Sequence, residues 1–292
     1  MLPIPASSEA TVLADWVEAS CLLDPDLRVP KTEVQSALVA AGLDDGALPA
    51  FIWLELSKRG TILGDLYPFA VEQSATGLRN ADSAALAYRL LLLLSIRSSI
   101  AEAQDGRHAE PSKLFEHVVA VAARQYLGGS ARRIGAPREG DNPKSFKKLI
   151  PFLCEKLSEG PPAGILNPAS QDAGVDVIAW KSFDDRRPGQ VVLIAQCATG
   201  ADWTEKVGDC SAPLWKRFMG LHLEPLTALA IPHVQFETWR WIETTLRGGV
   251  FLDRLRLVRM SEGAFDEPLA RRIERYCAGQ YSQLSSLLED AG

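Results

Sequence analysis

The chain has 292 residues, 47% of them hydrophobic and 23% charged, with a formal net charge of −6. That balance belongs to a soluble globular protein of one large or two ordinary domains, and the acidic total excludes nucleic-acid binding as a property of the whole surface, leaving only local patches. The five cysteines (Cys21, Cys154, Cys197, Cys210 and Cys277) are scattered, odd in number and form no CxxC, which speaks against a disulfide framework or a structural zinc and predicts reduced thiols in the cytoplasm.

The first residues, "MLPIPASSEA", lack the basic-then-apolar pattern of a secretory leader. The first hundred residues read as helical. "SEATVLADWVEASCLL" offers a Ser N-cap and apolar residues at three- and four-residue spacing. "KTEVQSALVAAGL" and "LPAFIWLELSKRG" end on glycines suited to helix C-caps. Trp16 and Trp53 fall on apolar faces and read as core. A turn at Tyr67 to Phe69 precedes a Leu-rich helix from about Asp82 to Ala103, which is too short to span a bilayer and contains Arg89, so no membrane partner is expected.

"AQDGRHAEPS", Ala103 to Ser112, is polar and carries Gly and Pro, as a linker would. The expected division is therefore an all-helical N-terminal domain over 1–105 and a second domain over 110–292. In the second, "KLFEHVVAVAARQYLGG" reads as a helix stopped by two glycines, "ARRIGAP" as a short strand, and "NPKSFKKLIPFLCEKLSEG" as an amphipathic helix. Strands follow at Val175 to Trp180 and Val191 to Cys197. "DWTEKVGDCSAPLWKRFMGL" looks helical in two pieces, "LTALAIPH" a third strand, "FETWRWIETTLRGG" a helix, "DRLRLVRM" a fourth strand, and the end helical. This alternation predicts an α/β fold with a mixed central sheet flanked by helices.

Side chains alternate faces along a strand, so Asp176, Ile178 and Trp180 share one face, and Gln196 shares one with Ile194 and Ala198. If the two strands pair, Asp176 and Gln196 lie side by side. Hard cations take oxygen ligands, and the Asp176 carboxylate, the Gln196 amide oxygen and the Cys197 carbonyl would supply half a shell for Mg²⁺ or Mn²⁺. Glu116, interrupting the apolar run "LFEHVVAVAA", is a further candidate ligand. Each has an ordinary structural alternative: a turn or salt bridge for the acids, a backbone hydrogen bond for Gln196, a small buried apolar group for the Cys197 side chain. In an acidic chain, Arg132, Arg133, Arg138, Lys144, Lys147 and Lys148 form a local basic stretch of the kind phosphate contacts need, or an ordinary solvated face. No HExxH, GxSxG or P-loop occurs.

Phe115–Glu116, then Asp172–Gly174–Val175–Asp176, then Gln196–Cys197–Ala198 resemble the motifs of the PD-(D/E)XK nuclease superfamily, closest to its Mrr-like restriction endonuclease branch. The resemblance covers roughly Lys113 to Met260. It implies a restriction-endonuclease-like fold with an αβββαβ core and a Mg²⁺-dependent nuclease. The implied substrate is double-stranded DNA, cut in a bacterial restriction or anti-phage defence system. A homodimer is compatible with it, as is a protein partner on the N-terminal domain. The family also places a lysine two residues after the Gln196 position, where this chain has Ala198. Some members move that lysine to the following helix, which here points to Lys206 as the residue that orients water. Two other readings stay open: a nucleic-acid-binding module that has lost catalysis, and an interaction subunit working through its N-terminal helices.

Overall fold

The computed structural model describes residues 1–43, 46–79, 86–100, 109–162 and 173–290, so the greater part of the linker stretch, His108 and Asp172 lie outside the described residues. The fold is mixed α/β, and its contacts divide the chain into two compact units. Unit 1 comprises 1–106, 232–235 and 254–292, and unit 2 comprises 107–231 and 236–253. The sequence reading carries the second domain to residue 292, whereas residues 254–292 pack with unit 1.

Unit 1 begins with α1 (Ala10–Leu23), β1 (Arg28–Pro30), α2 (Lys31–Ala40), α3 (Leu48–Leu63), β2 (Phe69–Val71), β3 (Ala75–Leu78) and α4 (Leu86–Ile100). It is not all-helical: β1, β3 and β2 form an antiparallel three-stranded sheet in that order. Strands of three or four residues are too short to display a period of two, which is why helical spacing dominated the reading. Trp16 is fully buried and its indole donates to Leu2 O at 2.8 Å, while the Trp53 indole donates to Glu72 O at 2.8 Å, so both tryptophans are structural.

Unit 2 runs α5 (Ala109–Leu127), β4 (Ser130–Arg133), α6 (Phe146–Leu157), β5 (Val177–Lys181), β6 (Val191–Cys197), α7 (Ala212–Met219), β7 (Leu226–Ala230), α8 (Thr238–Gly248) and β8 (Val250–Leu252). One five-stranded sheet has the order β4-β5-β6-β7-β8. The first two pairings are antiparallel and the last two parallel. Ile178, Trp180, Val192 and Ile194 turn one sheet face into a core shared with Phe146, Leu149, Ile150 and Leu153 of α6 and with Trp215, Phe218 and Met219 of α7. Alternation sends Val177 and Ala179 to the other face. There α5 packs against β4, β5 and β6, burying Leu114, Phe115, Val118, Val119, Ala122 and Ala123 at helical spacing.

The chain then re-enters unit 1 as α9 (Arg254–Ser261) and α10 (Glu267–Asp290). "DRLRLVRM", expected as a strand, is α9, and the fifth and last strand of the unit 2 sheet is β8 just before it. Its apolar and basic residues alternate, but Arg254, Leu255, Leu257, Val258 and Ser261 are the buried ones, a helical set. The alternation misleads because Arg254 is a core residue. It is fully buried and donates Nη1 and Nη2 to the Asp15 carboxylate at 2.8 and 2.7 Å. Arg59 Nη1 reaches both Asp15 and Glu18, at 2.7 and 2.8 Å, and Tyr67 and Tyr88 donate to Glu18. Two acids and two guanidinium groups balance inside unit 1. Burial raises the Asp15 pKa, but Arg254 and Arg59 more than reverse this and hold it well below the usual carboxylate range.

Candidate functional site

The register of β5 on β6 sets Ile178 against Ile194 and Val177 against Ala195, and the Asp176 N–H continues the ladder onto Ala195 O at 2.9 Å. Asp176 and Gln196 are therefore register neighbours at the strand ends, but their side chains part: the Gln196 amide reaches Asp209, and the Asp176 carboxylate reaches the Cys197 amide and the side of Gly135 and Glu116. The Asp176 carbonyl accepts from the amides of Ile134 and Gly135 at 2.7 and 3.0 Å, which ties the residue to the chain leaving β4 as well. Gly174 leads into this position at φ 75°, where a β-carbon would also crowd the carbonyl of Asp209 at 3.0 Å. Only glycine meets both demands.

The two oxygens of Asp176 have different surroundings. Oδ2 accepts the backbone N–H of Cys197 at 2.8 Å. Oδ1 lies on the side of Gly135, where a β-carbon would stand 3.0 Å from it and closer still to Oε2 of Glu116. The carboxylates of α5 and of the β5 entry thus crowd the position that a side chain at residue 135 would take, and they fit there only because that residue is glycine. Glu116 is 7% exposed and Arg133 4%. The Arg133 Nε is 2.7 Å from Glu116 Oε2. That approach is short but off the hydrogen-bonding direction, so it is an ion contact and not an aligned hydrogen bond. Burial pushes the Cys197 thiol well above its ordinary pKa, and the nearby Asp176 and Glu116 carboxylates push it further. Cys197 is thus a neutral thiol whose amide orients Asp176.

Gln196 is 8% exposed and its Nε2 donates to Asp209 Oδ2 at 3.5 Å. Asp209, an exposed residue following Gly208, is a neighbour the sequence reading missed, since nothing in its spacing sets it apart from loop acids. Ala198 is buried in a cluster with Trp203, Val207, Leu229, Ile231 and Phe251. Trp203 opens a 3-10 turn, Trp203–Lys206, instead of an α-helix, and Asp202 makes no side-chain cap. Trp203 packs inward while Lys206 is exposed. Among the described residues no three His, Cys, Asp or Glu side chains gather closely enough to hold a metal ion. Any cation here rests on Glu116 and Asp176 with amide or carbonyl oxygens, as Gln196 and Cys197 would supply.

The basic stretch splits. Arg133 and Arg138 are buried: Arg133 serves Glu116, and Arg138 Nη1 donates to Lys144 O at 2.8 Å while Lys144 Nζ donates back to Arg138 O at 2.6 Å. Arg132 pairs with Asp141 and stacks over Phe152 at 5.1 Å. Lys147 and Lys148 are exposed on the first turn of α6. Of the histidines, His117 lies 3.1 Å from Glu139, His222 binds the buried Glu159 at 3.0 Å, and His233 belongs to unit 1, 2.7 Å from Ser95.

Comparison with protein-family models, with curated proteins and with solved structures returns no match to this chain.

Proposed function

We propose that unit 2 is a metal-dependent phosphodiesterase of the restriction-endonuclease type, acting on duplex DNA. The observation that carries this reading is the convergence of Glu116 and Asp176 on the space over Gly135, at the ends of two paired strands. Two carboxylates this close raise each other's cost, and the Arg133 guanidinium offsets only one of the two charges. The strand order, antiparallel for three strands and then parallel, supports the same fold class.

Glu116, Asp176, the amide oxygen of Gln196 and the carbonyl of Cys197 would hold Mg²⁺ or Mn²⁺, hard cations that take such oxygens. A bound divalent cation supplies Lewis acidity to a phosphoryl oxygen and lowers the pKa of water. The chain's own contributions are separate. The Cys197 amide fixes Asp176 so that Oδ1 stays turned towards Glu116. Lys206 provides an exposed ammonium on the turn after β6, to neutralise charge developing on the phosphate. Lys147 and Lys148, with Arg132 and Lys144 beside them, form the reduced phosphate-contacting surface.

A second reading, a nuclease-fold subunit that binds nucleic acid without cutting it, is favoured by Ala198 standing buried where the family carries its lysine. Anomalous scattering from Mn²⁺-soaked crystals tests the proposal: a peak between Glu116 and Asp176 supports it, and a well-ordered soaked crystal with no peak there contradicts it.

A further inference from the structure

We infer that Arg133 is a built-in counter-ion of this site, one that competes with a divalent cation for Oε2 of Glu116 and has Glu139 as its alternative partner. The inference rests on the metal-site reading above and goes beyond it to how the site is filled and emptied.

Three observations carry it. First, the carboxylate oxygen closest over Gly135 is Glu116 Oε2, and it is the same oxygen that Arg133 Nε approaches at 2.7 Å. One carboxylate oxygen at the centre of the site has two suitors. Second, the guanidinium is held imperfectly. Its Nη1 donates to Pro137 O at 3.0 Å, its Nε meets Glu116 off the hydrogen-bonding direction, and its Nη2 is buried without an acceptor among the described residues. A buried guanidinium with unmet donors is costly, so the arrangement is poised to change. Third, Glu139 Oε2 lies 3.9 Å from Arg133 Nη1, already within ion-pair range. Glu139 is one-third exposed and also receives Lys113 at 3.2 Å and His117 at 3.1 Å.

Charge decides the sign. Glu116 and Asp176 carry two negative charges, and Arg133 offsets one. With the guanidinium in place the acids tolerate each other without metal. A divalent cation balances both acids by itself, so the guanidinium beside it becomes an excess positive charge that repels it. A shift of a few tenths of an ångström to an ångström towards Glu139 relieves that repulsion without unfolding anything, given that the second partner is already at hand.

The test is Mn²⁺ binding to the full-length protein, read by calorimetry, with melting temperature in chelator and in Mn²⁺ as a second readout. Arg133→Met keeps the volume and removes the charge. It should tighten Mn²⁺ binding by about tenfold or more, the size expected from one unit of like charge across a partly screened site. It should also lower the melting temperature in chelator and enlarge the rise that Mn²⁺ produces. Arg133→Lys should bind Mn²⁺ as the wild type does. Glu139→Gln, at a partly exposed position, removes the alternative partner and should weaken Mn²⁺ binding several-fold. It decides the matter alone if Arg133→Met fails to fold. Folded Arg133→Met with unchanged or weaker Mn²⁺ affinity, or Glu139→Gln with unchanged affinity, overturns the inference. If Asp176→Asn abolishes Mn²⁺ binding in the same experiment, the site itself stands and only the counter-ion role is lost. If neither the wild type nor any variant binds Mn²⁺, the metal-site reading falls and takes this inference with it.

Discussion

Glu116 Oε2 and Asp176 Oδ1 meet over the backbone of Gly135, both within 3.0 Å of the point where a β-carbon of that residue would stand. A single added methyl group is therefore a direct probe of the pair. Gly135→Ala should drive the two carboxylates apart and weaken Mn²⁺ binding by tenfold or more, about 1.4 kcal/mol. The loss of stability should be modest, because the atoms displaced are side-chain ends. Calorimetric titration beside a thermal melt checks both. Unchanged Mn²⁺ affinity in a folded Gly135→Ala protein would show that no ligand sits in that space.

Lys206 is exposed on the turn after β6, and Ala198 is packed under Trp203. If Lys206 supplies the missing ammonium, Lys206→Ala should slow cleavage by ~100-fold or more while duplex affinity stays the same, as expected for an interaction made in the transition state. Single-turnover cleavage and a filter-binding isotherm separate the two effects. A variant that binds weakly but cuts at the normal rate would make Lys206 an ordinary phosphate contact.

The hairpin that presents Asp176 and Gln196 was legible in the sequence because its strands are near-continuous apolar runs interrupted by one acid, a pattern that burial does not allow by accident. The partners of those residues were not legible. Arg133 and Glu116 meet across seventeen positions of sequence, and a basic stretch gives no sign of which arginines turn inward. Arg133 and Arg138 did, and Lys147 and Lys148 did not. The sheet of unit 1 was hidden by strands too short to show a period. Arg254 misled for the opposite reason. Its charge made α9 look like a half-solvated strand, although the guanidinium is fully buried against Asp15.

That same pair makes the N-terminal stretch dependent on a distant piece of chain. Arg254→Met should cost about 3–5 kcal/mol, the range for leaving one member of a buried ion pair uncompensated. The fragment 1–106, which lacks Arg254 altogether, should show no cooperative thermal transition by circular dichroism. A sharp melt of that fragment would mean that Asp15 and Glu18 are adequately served by Arg59 alone.

Glu262 gives the pH dependence a sign. Its Oε2 accepts the Ala87 N–H at 3.2 Å, and burial pushes its pKa up from 4.5 to about 7. Between those values the folded protein holds a proton that the unfolded chain has lost, so stability falls as pH rises through this window. Above it, the ionised carboxylate remains a penalty. Glu262→Gln keeps an acceptor for Ala87 and removes the charge. It should raise the melting temperature at pH 8 and leave it nearly unchanged at pH 4. An equal change at both pH values would assign the effect to packing.

The most direct measurement is cleavage of supercoiled plasmid by the wild type and by Asp176→Asn, purified side by side. Asparagine retains an acceptor for the Cys197 amide and removes the charge that a cation needs, so the two proteins should share a fold and a melting temperature within a few degrees. A metal-dependent nuclease nicks or linearises the plasmid in Mg²⁺ or Mn²⁺, stops in chelator, and loses all cutting in the variant. Duplex retained but uncut by the wild type in every divalent metal, or equal cutting by both proteins, would contradict it.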